Sequence, residues 1–64
     1  MLQPMQPIEH KYEVSVGHTS VTVTGTSVSD AIRHARQRLC RELPRLWDVI
    51  QSLDEQRFRV MEVQ

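Results

Sequence analysis

A single cysteine, Cys40, excludes an internal disulfide in this chain. A lone thiol fits a reducing, cytoplasmic compartment better than a secreted one. Charge of one sign is also missing: eight basic and eight acidic residues cancel, so nothing draws the whole molecule toward nucleic acid or an anionic membrane. No apolar run approaches the roughly 20 residues that a membrane span needs. The N-terminus has neither the basic start nor the apolar core of a secretory signal. There is no CxxC, HxxxH or HExxH pattern, and His10, His18, His34 and Cys40 are too scattered to suggest a zinc site. Length sets the last limit. A chain of 64 residues buries only about 60% of its unfolded surface, too little to house a deep pocket easily.

What is present is patterned. Residues 27–43 carry Val28, Ala31, Ile32, Ala35, Leu39 and Leu43 at spacings of three and four, which on a helix form one apolar stripe. Ser27 and Asp30 fit a capping box at its start. The Ser27 hydroxyl would accept from the N–H of Asp30, and the carboxylate would reach back toward the Ser27 N–H. Pro44 cannot donate to the Cys40 carbonyl and crowds it, so the helix stops or kinks near Glu42. Leu43, Leu46, Trp47, Ile50 and Leu53 continue the three-and-four spacing, and proline suits a first turn. A second short helix is therefore predicted over residues 44–52, with Trp47 in its packed stripe. The rival reading makes residues 46–51 a strand.

Residues 1–8 hold Pro4 and Pro7 without periodicity and read as a flexible tail, leaving residues 9–64 as one domain. Residues 9–16 alternate, with Tyr12, Val14 and Val16 on one side, and residues 19–24 alternate again with Val21 and Val23. Both segments read as strands. Glycine first in the loop Gly17-His18 suits a type II′ hairpin. A two-residue loop sets Val16 opposite Thr19, Val14 opposite Val21 and Tyr12 opposite Val23, which gathers the apolar residues on one face. A four-residue loop keeps the same match. After a turn at residues 53–55, residues 57–63 form the last strand, with Phe58 and Val60 on the apolar side.

The expected fold is α+β: a two-layer sandwich in which a β-hairpin, a helix kinked or split at Pro44 and a third strand (ββαβ) place a three-stranded sheet under one helix. The first strand is expected in the centre, with the second strand as the alternative. The opposite sheet face would show Lys11, Glu13, Ser15, Thr22, Thr24, Arg57 and Arg59, a polar surface without stacking aromatics. Both sheet edges would be open to strand pairing.

Arg33, Arg36, Arg38, Arg41 and Arg45 are five of the eight basic residues, within thirteen positions opposed only by Glu42. Such a face could lie along phosphates, releasing counterions as it neutralises them. As a merely solvated face, Arg33, Arg36 and Arg41 would be exchangeable for Gln at about 0.5 kcal/mol each. Gly25-Thr26-Ser27, the helix with Ala31 and Ala35, and Trp47 within RLWDV resemble dodecins, small flavin-binding shells. The resemblance covers about a third of the chain. It implies a flavin-binding oligomer using Trp47. The chain departs from that family in its N-terminal hairpin and in having few residues after Trp47 for two long wrapping strands.

The reading the sequence favours is a small, non-enzymatic cytoplasmic protein-interaction module without cofactor or metal. Its partner is another protein or a second copy bound through a sheet edge, not a membrane. The alternative is a nucleic-acid-binding module using the five arginines.

Overall fold

A computed structural model describes residues 8–63. Residues 1–7, and with them nearly all of the expected tail, lie outside the described residues, as does residue 64. The elements are β1 (His10–Val16), β2 (Thr19–Gly25), α1 (Val28–Glu42), α2 (Trp47–Ser52) and β3 (Arg59–Val63). One 3₁₀ turn, Pro44–Leu46, leads into α2, and another, Glu55–Arg57, precedes β3. The three strands form one sheet in the order β2-β1-β3, with β1 antiparallel to both neighbours. This is the expected α+β arrangement with β1 in the centre.

The hairpin is set by its turn. Gly17 adopts φ +59° and no other described residue has positive φ, so His18 stays in ordinary backbone space. That combination suits a type II′ turn, whereas type I′ would need positive φ at both positions. The two-residue loop fixes the register Val16 to Thr19, Val14 to Val21 and Tyr12 to Val23. All apolar side chains of the hairpin thereby share one face.

α1 starts where its capping residues dictate. Ser27 Oγ accepts from the Asp30 N–H at 3.1 Å. The carboxylate overshoots the Ser27 N–H expected from the sequence and accepts instead from the N–H of Thr26 at 2.9 Å and from its hydroxyl at 3.3 Å. The helix ends at Glu42, with the Leu43 N–H closing onto the Leu39 carbonyl at 2.7 Å. Pro44 then opens a 3₁₀ turn, which tolerates its missing donor.

The core is Tyr12, Val14, Val21 and Val23 from the hairpin, Ala31, Ile32, Ala35 and Leu39 from α1, and Ile50 and Phe58. Val14 and Leu39 are the largest side chains that are fully buried. α1 comes close to β2 at Gly25: a Cβ there would lie 2.8 Å from the Ala31 nitrogen and 3.1 Å from its Cα. Only glycine permits that approach.

Three expectations are corrected, and one alternative is settled. Val28 is exposed, because the first residue of a helix directs its Cβ back past the helix end. The second short helix stands as expected, a 3₁₀ turn at Pro44–Leu46 running into α2, and the strand alternative fails. The last strand begins at Arg59, since Glu55–Arg57 closes a 3₁₀ turn through Arg57 N–H to the Asp54 carbonyl and Phe58 N–H to the Glu55 carbonyl. Arg57 therefore leaves the outer sheet face, while Met61 and Val63 pair with Glu13 and Lys11 on it.

Candidate interaction surfaces

The arginines predicted to share one solvated face are put to different uses. Arg33 donates to the Asp30 carboxylate one turn earlier. Arg38 spans two partners, with its Nη1 donating to the Thr22 carbonyl at 2.8 Å and its Nε 3.4 Å from Glu42. Arg36 is half-buried. Its Nη1 donates to the Ile50 carbonyl at 2.7 Å and to that of Gln51 at 3.3 Å, and its Nη2 donates to the Leu53 carbonyl. The guanidinium carbon also sits 4.8 Å from the centroid of the Phe58 ring. This closes the C-terminal end of α2, whose last carbonyls have no helical partner and whose dipole favours a cation, and the ring face adds a cation–π contact. Arg36 is thus a structural clamp and not a solvated residue. Among the described residues, Arg41 and Arg45 make no side-chain hydrogen bond or ion pair, and both are exposed. Of the five arginines proposed for phosphates, three already donate within the fold.

Asp30 is the hub at the start of α1. The Thr26 N–H, the Arg33 guanidinium and the neighbouring His34 hold its carboxyl below the ordinary value of 3.8, against an opposing effect of partial burial. His34 Nδ1 lies 2.6 Å from the Thr24 carbonyl. A carbonyl only accepts, so this nitrogen carries the proton. The other ring nitrogen is 3.7 Å from Asp30.

The remaining candidate ligands are dispersed. His10 faces Glu62 at 3.1 Å across the β1–β3 pair, His18 occupies the hairpin loop, and Cys40 directs its Sγ to the Trp47 carbonyl at 3.6 Å. No three His, Cys, Asp or Glu side chains converge among the described residues. The surface depressions are of about 350 to 380 Å³. One of them, lined by Lys11, Thr22, Thr24, His34 and Arg38, follows the outer edge of β2.

Trp47 overturns its expected place in the core. It is 58% exposed, beside Leu46 at 48% and Val49 at 52%. The three-and-four spacing assumed one continuous helical phase through Pro44. The intervening 3₁₀ turn has three residues per turn instead of 3.6 and so rotates α2 out of that phase. Ile50 keeps the inward position, Leu43 and Leu53 are half-buried, and Leu46, Trp47 and Val49 form an apolar ridge. Nothing in the spacing separates the two outcomes, because the ridge and the core use the same residue types.

No protein-family model, curated protein or solved structure matches this chain. The dodecin resemblance stops short of the architecture: among the described residues a single strand, β3, comes after the helices, where that family wraps its helix with two. No helix among the described residues is long and apolar enough to cross a membrane.

Proposed function

We propose that the chain is a non-enzymatic, cytoplasmic module that works by contact with another protein through the Leu46, Trp47 and Val49 ridge. The observation that carries this reading is the exposure of all three side chains at α2 and the turn leading into it. A small chain that leaves its one tryptophan outside, beside two large aliphatic residues, forgoes burial worth about 1.5–3 kcal/mol for each fully buried aliphatic side chain. Tryptophan is also among the residues that most often anchor protein interfaces. The half-buried Leu43 extends the apolar surface next to the ridge.

A photo-crosslinking side chain at Val49, and at Ser20 on the far strand as control, tests the proposal in cells expressing the chain. The expected result is one protein adduct from position 49, absent from position 20, competed by the wild-type chain and not by Trp47→Ala. Equal adducts at both positions, or none at 49, would overturn it. Recovery of nucleic acid crosslinked beside Arg41 and Arg45 would also overturn it, in favour of the basic-face alternative.

A further inference from the structure

The two edges of the sheet are not equivalent. The two-residue loop makes Val16 and Thr19 a hydrogen-bonded closing pair, and the antiparallel ladder then alternates. Thr19, Val21, Val23 and Gly25 bond to β1, while Ser20, Thr22 and Thr24 turn their backbone groups to the outer edge. Two of these three carbonyls are occupied, Thr22 by Arg38 at 2.8 Å and Thr24 by His34 at 2.6 Å. Side chains from α1 thus cap part of the β2 edge.

Among the described residues, none pairs with the outer edge of β3. The alternation leaves Lys11, Glu13 and Ser15 of β1 to bond with Val63, Met61 and Arg59, so the N–H and C=O groups of Val60 and Glu62 point away from the sheet. No described side chain hydrogen-bonds to the backbone of either residue. Met61 is 64% exposed and Val63 is 36% exposed on the outer sheet face along this edge.

We propose that β3 pairs antiparallel with β3 of a second copy, across a two-fold axis at Met61, joining the two sheets into one. This inference uses a different surface from the α2 ridge and stands independently of it. The register is dictated by which groups are available. Outward-facing residues must bond outward-facing residues, so Val60 and Glu62 pair only with their counterparts. Placing Val60 opposite itself would set Glu62 against Phe58, whose N–H is already donated to the Glu55 carbonyl at 3.0 Å. Placing Glu62 opposite itself would oppose two carboxylates. Val60 opposite the second copy's Glu62 avoids both conflicts. It sets Met61 against Met61 at a non-hydrogen-bonded site and Val63 against the stem of Arg59. A C2 arrangement of this kind closes on itself and leaves outside only the two β2 edges, each partly capped from α1.

Sedimentation equilibrium of the full chain should show a reversible monomer–dimer equilibrium. Glu62→Pro removes an outward N–H without touching the β1 ladder, and it should abolish the dimer while leaving the circular dichroism spectrum unchanged. In a Cys40→Ser background, Met61→Cys should form a disulfide-linked dimer under mild oxidation, because non-hydrogen-bonded cross-strand pairs bring Cβ atoms close. Ser20→Cys should not. Trp47→Ala should dimerise like the wild type. A chain that stays monomeric at every concentration would overturn the proposal. So would crosslinking of Ser20→Cys as fast as Met61→Cys, or a dimer lost with Trp47→Ala and kept with Glu62→Pro.

Discussion

Arg36 occupies the middle of a helix face whose residue pattern marks it as solvated, yet it is shared among the carbonyls of Ile50, Gln51 and Leu53 and the Phe58 ring. Hydrogen bonds to a charged group contribute about 1.5–3 kcal/mol, so Arg36→Gln should lower the free energy of unfolding by about that much. Arg41→Gln, at an exposed position with no side-chain partner among the described residues, should stay within about 0.5 kcal/mol. Equal losses for the two variants in denaturant titrations would show that the clamp contributes nothing. Asp30 gives a pH-dependent counterpart. Its folded pKa lies below the ordinary value of 3.8, so its contribution is full above that value and is lost as the pH falls through the lower folded pKa. The stability gap between wild type and Asp30→Asn should therefore be widest near neutral pH and should close in acid. A gap that stayed constant from neutral to acid pH would mean that the Thr26 and Arg33 contacts do not favour the charged form.

At the scale of elements, the hairpin and α1 are legible in the sequence because each carries a local and a periodic signal that agree. Gly17 fits the loop, the loop fits the register, and the register fits the alternation of Tyr12, Val14, Val21 and Val23. Ser27 and Asp30 mark the start of α1, and Pro44 marks its end. Gly25 reads in the sequence only as the end of the hairpin, since a close approach between strand and helix leaves no trace in spacing. Gly25→Ala would drive a methyl group into the backbone of Ala31. Overpacking of this kind typically costs about 1–3 kcal/mol. Thermal unfolding should show a clearly lowered Tm, and an unchanged Tm would mean that the strand and helix can separate freely. α2 is legible as a helix but not in orientation. Six residues are marginal alone, and its seat is set by Ile50, Arg36 and the 3₁₀ turn before it.

For the whole molecule, the sequence by itself determined the class of fold, the strand register of the hairpin, the boundaries of α1 and most of the core. Those arise from periodicity, turn chemistry and capping, all of which act over a few residues. It did not determine the surfaces. The exposure of Trp47, Leu46 and Val49 depends on how a 3₁₀ turn rotates α2 against α1. The dispersal of the arginines depends on which carbonyls the fold brings within reach. Arg38 finds Thr22 sixteen positions away, and Arg36 finds Ile50 and Leu53 fourteen and seventeen positions away. The partly capped β2 edge, and a β3 edge that no described residue caps, exist only because α1 lies nearer to one side of the sheet. Each of these is a contact between residues distant in sequence, and only tertiary packing decides such contacts.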